Sequence, residues 1–408
     1  MRTLTFVLIS CAAVWAQDVS AILNEAAVKT ALEAVQRNEA HFIDEQVRLC
    51  EIAAAPFKEE ARAKEFERLF RAAGLQNVRM DRAWNVIGVR PGSAAHPNVV
   101  VAAHLDTVFP EETNVKVTRE GGVLKGPGIG DDCRGLAVLL GMIRALDEAK
   151  VRTAGTITFV ADTGEEGLGD LRGMKSLFGD SMKGQIDKFV SIDGTGLGIT
   201  NRGVGSLRYR VSFTAPGGHS YGAFGNANPI QAMGRAIAKI DAMEVPAKPK
   251  TTFNVGRVGG GTSVNAIPFE SWMEVDMRSE EKDALETLHA KFKAAIADAV
   301  AEENKRWGGK SPVASKLELV GDRPVGVTGE SSAIVQAAMA LTQALGTTVT
   351  LSDSSTDSNV PMSLGIPAIT IGGGGTGMGS HSPGESWDSK DSYLGTQRAL
   401  VLAVALAR

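Results

Sequence analysis

The hydrophobic and polar positions along the chain predict two styles of secondary structure. Up to about residue 205, and again after residue 324, continuous apolar runs alternate with helical patterns. The clearest run, 98–103, is rich in valine and is typical of a strand buried on both faces of a sheet. A second run of this kind covers 155–161. Strands separated by helices in this way predict an α/β domain with a mostly parallel sheet.

The segment between these two parts follows a different pattern, in which polar and apolar residues alternate along the strands. Its strands and helices are expected over 206–215, 228–243, 251–258, 270–277, 280–304 and 315–320. The resulting order, β-α-β-β-α-β, is that of a two-layer module with antiparallel strands. We therefore predict an inserted domain, 206–321, within a first domain formed by 17–205 and 322–408.

The first residues resemble an export signal rather than part of either domain. Arg2 is followed by an apolar run, 4–14, and by small residues before Gln17. This pattern is typical of a cleaved signal peptide, so residues 1–16 are expected to be removed from an exported protein, periplasmic or secreted. The segment that ends at Cys11 also resembles a lipoprotein cleavage box, which leaves a lipid anchor as the alternative. No other apolar run is long enough to span a membrane.

Composition narrows the class of protein further. The chain has 408 residues, 43% of them hydrophobic, and a formal net charge of −4. This length exceeds one ordinary core, and the charge argues against a nucleic-acid-binding face. Apart from Cys11 the cysteines are Cys50 and Cys133, which we expect to be free thiols, with one disulfide as the alternative.

Candidate catalytic residues stand at the end of the valine-rich strand and in the turn that follows. His104 and Asp106 are two residues apart, so in a strand their side chains point to the same side. A carboxylate in this position can orient a metal-binding histidine, although a purely structural hydrogen bond would also explain the pair. Asp131 and Asp132 lie in a glycine-rich turn before an apolar helix. One of them could cap the helix while the other bridges cations.

Three later fragments add further acids and a second histidine. Glu165 and Glu166 stand side by side among glycines, where their charges repel each other unless a cation is near. Asp193 ends a short apolar strand, and His381 follows a run of glycines near the C-terminus. Each residue alone could belong to an ordinary turn. Taken together, imidazole and carboxylate groups in this number suit a divalent metal.

The order of these residues resembles the superfamily of co-catalytic zinc exopeptidases and deacylases that includes glutamate carboxypeptidase, peptidase T, acetylornithine deacetylase and aminoacylase. The motif HLDTV, the Asp131-Asp132-Cys133 turn and the Glu165-Glu166 pair carry the resemblance. Lysine is frequent in the family where this chain has Cys133. The resemblance covers almost the whole mature chain. It implies a three-layer catalytic domain with a mixed sheet, and an inserted two-layer lid or dimerisation domain.

The resemblance also implies a role for each residue. In the catalytic domain, His104 and Asp193 would bind one metal, Glu166 and His381 a second, Asp131 would bridge both, Asp106 would orient His104 and Glu165 would be the general base. The metals would be two divalent ions, zinc first and manganese or cobalt as alternatives. In the inserted domain, His219 would stabilise the oxyanion, and Asn265 and Arg278 would hold the substrate.

The function implied by the resemblance is hydrolysis of an amide bond next to a free carboxylate. We favour a metallo-exopeptidase for short peptides, with an N-acyl-amino-acid deacylase as the alternative, because no residue separates the two. A binding protein that has lost its metals is disfavoured, because a suitable residue stands at every ligand position. A serine hydrolase is disfavoured because Ser220 lies in no nucleophile-elbow motif. Inserted domains of this family often pair, so a homodimer is a further expectation.

Overall fold

The computed structural model describes residues 11–408 of the chain, and side-chain environments from residue 18 onward. The predicted signal peptide, 1–16, therefore lies outside the residues whose side chains are described. The chain divides into two compact units: unit 1 runs to Gly203 and resumes over Gly326–Arg408, and unit 2 is Val204–Val325. None of the described helices is both long and apolar enough to cross a membrane.

Unit 1 starts with helices and continues into a sheet. Its first part contains α1 (Cys11–Asn24), α2 (Ala26–Cys50), α3 (Glu60–Ala72), β1 (Gln76–Met80), β2 (Val86–Arg90), β3 (Asn98–His104), β4 (Thr118–Glu120), β5 (Val123–Lys125), α4 (Cys133–Glu148), β6 (Thr156–Asp162), α5 (Arg172–Ser176), β7 (Lys188–Ile192) and β8 (Ile199–Gly203). A short 3₁₀ turn, Gly167–Gly169, precedes α5.

Unit 2 and the return to unit 1 supply the remaining elements. Unit 2 contains β9 (Gly205–Thr214), β10 (Gly218–His219), α6 (Pro229–Asp241), β11 (Thr251–Gly260), β12 (Ala266–Ile267), β13 (Glu270–Ser279), α7 (Lys282–Arg306) and β14 (Ala314–Arg323). Unit 1 resumes with β15 (Gly326–Val327), α8 (Ala333–Ala344), β16 (Leu351–Ser354), α9 (Asn359–Ser363), β17 (Ala368–Ile371), β18 (Thr376–Met378), β19 (Ser386–Asp388) and α10 (Tyr393–Leu406).

The main sheet of unit 1 has the strand order β1-β2-β6-β3-β7-β17-β8-β15, with β16 beside β8. Its centre is parallel, because β3 runs alongside β6 and β7 in the same direction and β17 is parallel to β7. The strands near both ends pair in the antiparallel sense, as β2 does with β6 and β8 with β17. The predicted mixed α/β sheet is therefore confirmed. A smaller antiparallel sheet has the order β18-β19-β5-β4.

Strand β3 shows why the main sheet is covered on both faces. All its residues are buried, as the valine-rich run predicted. Val99 and Val101 belong to a core that also contains residues of α2, α4 and α10, whereas Val100 and Ala102 belong to a second core that contains Leu171. Helical segments thus pack on each side of the sheet. The carboxyl ends of the parallel strands β3, β6 and β7 consequently meet at one edge, where ligand sites usually form in such sheets.

Unit 2 has its own core and its own sheet. Its four longer strands pair in the order β11-β13-β9-β14, and all pairs are antiparallel. Val211, Phe213, Ile240 and Phe292 are buried in one cluster that joins the sheet to α6 and α7. The longer elements follow one another as β9-α6-β11-β13-α7-β14, which is the β-α-β-β-α-β order expected from the sequence.

Cys50 and Cys133 form a disulfide, so the expectation of two free thiols is wrong. Cys50 is the last residue of α2 and Cys133 the first of α4, and their Cα atoms are 5.5 Å apart. The two helices pack against each other, and both cysteines are fully buried. A separation of 83 residues gave no hint of this contact, because only the packing of the helices brings the two ends together.

Candidate metal centre

The predicted ligands of unit 1 collect at the carboxyl edge of the main sheet. His104 is the last residue of β3, Asp193 directly follows β7, and Glu165 and Glu166 lie in the loop after β6. Asp131 stands in the turn before α4, and His381 in the loop between β18 and β19. His104, Glu165, Glu166 and Asp193 therefore meet because parallel strands end together, and the turn of Asp131 and the loop of His381 join them from outside the main sheet.

Asp131 lies between the two histidines, with one carboxylate oxygen turned toward each. The Nε2 atom of His104 is 3.1 Å from Oδ1 of Asp131, and the Nε2 atom of His381 is 3.1 Å from Oδ2. On the first side, Oδ1 of Asp193 is 3.9 Å from Nε2 of His104. On the second side, Oε1 of Glu166 is 3.0 Å from Nε2 of His381.

Each side of Asp131 offers a set of ligand atoms with the geometry of a metal site. Two atoms that each stand at about 2.1 Å from a tetrahedral cation are about 3.4 Å apart. The separations of 3.0–3.9 Å among these nitrogen and oxygen atoms lie around that value. In each triple, His104-Asp131-Asp193 and Asp131-Glu166-His381, the ligand atoms all lie within 4.8 Å of one another. The donor set therefore fits two divalent cations, one on each side of Asp131.

Asp106, which is fully buried, holds the loop of the two glutamates. Its Oδ1 accepts a hydrogen bond from the backbone N–H of Glu165 at 3.0 Å, and its Oδ2 accepts one from Glu166 at 2.8 Å. Nδ1 of His104 lies 2.9 Å from the main-chain oxygen of Asp106 but 3.7 Å from its carboxylate. The main-chain carbonyl is thus the nearer acceptor for the ring of His104, while the carboxylate lies beside the ring and also accepts the two N–H groups. That the carboxylate orients His104 stays a prediction.

Asp132 points away from Asp131 and caps α4. Its carboxylate accepts hydrogen bonds from the backbone N–H of Gly135 at 2.9 Å and of His104 at 3.1 Å. A Cβ atom on Gly135 would lie 2.3 Å from the same carboxylate, so this close capping contact requires glycine. Asp132 is therefore the helix cap of this acid pair, and Asp131 is the one that faces the histidines. Asp132 also fixes the end of β3 that presents His104.

A tight loop presents Glu165 and Glu166. It closes through a hydrogen bond from the backbone N–H of Leu171 to the carbonyl of Gly164, at 2.7 Å. Gly164 has a φ of 71°, and a Cβ there would approach Arg172 to 2.6 Å. Arg172 in turn forms an ion pair of 2.6 Å with the buried Glu59. The glutamates, only 5% and 6% exposed, are consequently held by a rigid frame rather than by a mobile surface loop.

The acids shift the pKa of both histidines upward. Hydrogen bonds to Asp131 and Glu166 raise the pKa of His381 to about 10. Burial lowers the pKa of His104, but its contacts with Asp106 and Asp131 outweigh burial and hold the pKa well above its usual value. Burial and the charge of Asp131 raise the pKa of Asp193. The carboxylates thus attract more positive charge than the neutral imidazoles provide, and bound cations would supply it.

Two of the three predicted residues of unit 2, His219 and Asn265, lie at the small sheet formed by β10 and β12. β10 pairs with β12, and the backbone N–H of Ser220 donates to the carbonyl of Asn265 at 2.9 Å, so His219 and Asn265 are close in the fold. Nδ1 of His219 accepts the backbone N–H groups of Tyr221 and Gly222, at 3.3 and 3.2 Å. The neutral ring therefore carries its hydrogen on Nε2.

Arg278 lies on β13 of unit 2 and is partly exposed. Its Nε donates to Oδ2 of Asp276 at 2.7 Å, and Arg208 donates to the other oxygen of this aspartate at 2.9 Å. A planar guanidinium that uses only Nε in this pair has further donors with which to bind a carboxylate.

Glu385 contributes to the site in a way that sequence reasoning missed. It follows His381 by four residues and is buried, and its carboxylate accepts backbone N–H groups of Gly128, Gly130 and Asp131. The only signal in the sequence was an acid in a glycine-rich segment close to a candidate ligand. Nothing in that segment indicates that its partner would be a turn some 250 residues earlier.

An α/β sheet that gathers imidazole and carboxylate groups at its carboxyl edge is suited to bind divalent metals of the kind that metal-dependent hydrolases use. Residues 100–405 match the profile of Peptidase family M20/M25/M40, and the chain belongs to this family. The family resemblance inferred from the motifs is thereby confirmed, and with it the assignment as a hydrolytic metal enzyme.

Individual relatives are distant. The chain is 25% identical to the uncharacterized protein YqjE of Bacillus subtilis (strain 168) over 348 residues, which are 82% of this chain and 90% of that protein. It is 29% identical to carboxypeptidase G2 of Pseudomonas sp. (strain RS-16) over 213 residues, 49% of each protein. The crystal structure of a tripeptidase from Staphylococcus aureus subsp. aureus mu50 shares the fold, with a TM-score of 0.74, 22% identity, and coverage of 91% of this chain and 99% of that chain.

Metal binding is expected to release protons. The raised pKa values keep His104 and His381 protonated in the metal-free protein near neutral pH, whereas a metal-bound imidazole is neutral. The apparent affinity for Zn²⁺ or Co²⁺ should therefore fall as the pH is lowered from about 8 to about 6, because protons compete for the same Nε2 atoms. Isothermal titration calorimetry in two buffers of different ionisation enthalpy measures the released protons. A binding heat that does not depend on the buffer would contradict the prediction.

Proposed function

We propose that the protein is a metal-dependent exopeptidase that hydrolyses an amide bond of short peptides at two divalent cations, zinc in the first place. The observation that carries the proposal is the position of Asp131, whose two oxygens each lie 3.1 Å from a different histidine. In this proposal His104 and Asp193 bind one cation, Glu166 and His381 bind the other, and Asp131 bridges them. Manganese or cobalt would suit the same ligands.

Glu165 is the proposed general base. When bound, the cations would lower the pKa of an attacking water and polarise the scissile carbonyl. Glu166 lies against His381 and is assigned to a cation, which leaves the adjacent Glu165 to take the proton from water and pass it to the leaving amine. The two hydrogen bonds from the loop to Asp106 support this division, because they keep the glutamates in one fixed orientation.

His219 is the proposed donor to the oxyanion of the tetrahedral intermediate, either from the same chain or from a second copy in a homodimer. Its tautomer supports the role, because the hydrogen on Nε2 is available for donation while Nδ1 is occupied by the backbone. Asn265 and Arg278 are proposed to hold the substrate, Arg278 through the substrate's free carboxylate.

Substitutions in the two units should separate these roles. Glu165→Ala and His219→Ala are expected to keep about two metals per chain while turnover falls by about 100-fold or more, because each removes a group that acts only during the reaction. Glu166→Ala is the matched control, since it should lose metal as well as activity. Metal analysis by inductively coupled plasma mass spectrometry, combined with turnover measurements, distinguishes the outcomes. A Glu165→Ala enzyme with wild-type turnover would remove Glu165 from the mechanism.

A substrate panel tests the peptidase assignment against the deacylase alternative. Dipeptides, tripeptides, N-blocked peptides and N-acetyl amino acids should be compared with the metal-loaded enzyme. We expect hydrolysis of dipeptides or tripeptides. Arg278 offers a donor for the free carboxylate that both substrate classes carry, so the group on the other side of the scissile amide is what the panel distinguishes. Hydrolysis of N-acetyl amino acids alone would instead establish the deacylase function.

We further propose that the protein is exported. The pattern of residues 1–16 supports export, and so does the disulfide, because disulfides persist mainly in oxidising compartments. Mass spectrometry of protein recovered from the periplasm or medium of an expressing bacterium should find a chain that starts at Gln17, with neither cysteine alkylated before reduction. An acylated chain that starts at Cys11 would identify the lipid-anchored alternative. An uncleaved chain with two free thiols, found only in the cytosol, would rule out both.

A further inference from the structure

We propose that Glu385 is a positioning residue that holds the turn carrying Asp131 in register with the segment carrying His381. The inference rests on the proposed two-cation site in one respect only, namely that Asp131 bridges it. Glu385 itself is not proposed to bind a cation or to touch the substrate.

The carboxylate of Glu385 contacts the backbone of one turn. Its Oε2 accepts the N–H of Gly128 at 2.9 Å, and its Oε1 accepts those of Gly130 and Asp131 at 2.8 and 3.1 Å. Its own carbonyl accepts the N–H of Gly126 at 3.0 Å. Glu385 is 1% exposed, so its charge is stabilised by these donors rather than by water. One carboxylate thus accepts three N–H groups of the turn, up to the proposed bridging aspartate, while Gln46 donates to the carbonyl of Ile129 in the same turn at 2.7 Å.

The turn depends on such a partner because it has few side chains of its own. Gly128 has a φ of 77°, which favours glycine, and a Cβ on Gly130 would lie 2.9 Å from Thr195 and 3.3 Å from the carboxylate of Glu385. Glycine permits this close approach, but it also increases the conformational freedom that folding must remove. Hydrogen bonds to the backbone are therefore the main means by which the turn is held in one conformation.

Glu385 also contacts, by its side chain, a segment far from its own in sequence, and each of the two segments carries a proposed metal ligand. It lies between His381 and β19, and β19 pairs with β5, which leads into the turn of Asp131. The ladder between β19 and β5 aligns the two segments, and Glu385 extends that alignment to the turn itself. Asp131 and His381 can bind one cation together only if their separation stays within about 0.5 Å of the required value. A glycine-rich turn without further contacts would not hold that separation.

A glutamine at this position distinguishes positioning from space filling. Glutamine has nearly the same volume as glutamate, but one of its two polar atoms is an NH₂ group, which cannot accept a hydrogen bond. At least one of the three N–H donors would therefore lose its acceptor in Glu385→Gln. If Glu385 only filled space, the variant would behave like the wild type.

The first measurement is amide hydrogen exchange of the full-length, metal-free protein. In the wild type, the amides of Gly128, Gly130 and Asp131 should exchange slowly. In Glu385→Gln at least one of these amides should exchange about tenfold faster or more, because its hydrogen bond to a charged acceptor is lost, while peptides from β3 and α4 stay unchanged. Glu330→Gln is the control, since Glu330 is exposed in a loop of the same unit. Faster exchange throughout unit 1 would indicate a general loss of stability and would overturn the proposal.

The second measurement is a Co²⁺ titration followed by the visible absorption of the bound ion. Glu385→Gln should bind Co²⁺ about 10- to 100-fold more weakly than the wild type and Glu330→Gln, with an altered spectrum, because supporting partners of metal ligands have effects of this size. Unchanged affinity and spectrum would overturn the proposal. A wild type that binds no metal would refute the proposed function instead. The exchange experiment would still test whether the hydrogen bonds to Glu385 protect the amides of the turn.

The proposal can also be tested if Glu385→Gln does not fold. Glu385→Asp keeps the charge on a side chain that is one methylene shorter, and it should protect some but not all of the three amides. The wild-type protein alone is already informative, because fast exchange at Gly128, Gly130 and Asp131 in the folded, metal-free state would refute the role of Glu385.

Discussion

The structure depends on one electrostatic constraint, the concentration of carboxylates at the carboxyl edge of a buried sheet. Asp131, Asp193 and Glu166 face two histidines, and burial makes each negative charge unfavourable unless a cation or a set of donors stabilises it. The carboxylates of Asp131 and Glu166 also raise the pKa of His381 to about 10, because they stabilise its positively charged form. A donor set of this kind is compatible with a stable fold because protons or metal ions can neutralise it.

The acids around this edge divide into two kinds according to what stabilises their charge. Those named above face the space where cations would bind. Asp106, Asp132 and Glu385 turn instead toward the backbone and accept N–H groups of the segments that carry the first kind. The glutamate loop, the end of β3 and the turn of Asp131 are therefore each held by an acid from another part of the chain. These hydrogen bonds between distant segments explain how a site made mostly of glycine-rich turns can keep a defined geometry.

Much of this arrangement could be predicted from the sequence, and the errors have a common cause. The valine-rich run at β3, the mixed α/β sheet and the candidate residues at strand ends follow from local patterns. The pairing of Cys50 with Cys133, the backbone partners of Asp106 and the entire contribution of Glu385 do not. Each of these is a contact between residues far apart in sequence, and no local periodicity contains information about such a contact.

The sequence by itself thus determined which residue types are present, on which elements they lie and which strand ends can present them, because burial and turn chemistry are local properties. It also identified the family, through motifs that survive at low identity. Only the tertiary structure decided which partners acids of the same type contact: Asp131 faces both histidines while Asp132 caps α4, and the carboxylate of Asp106 accepts the N–H groups of the glutamate loop. The physical reason is that a carboxylate binds the strongest donors within reach, and the fold alone sets which donors those are.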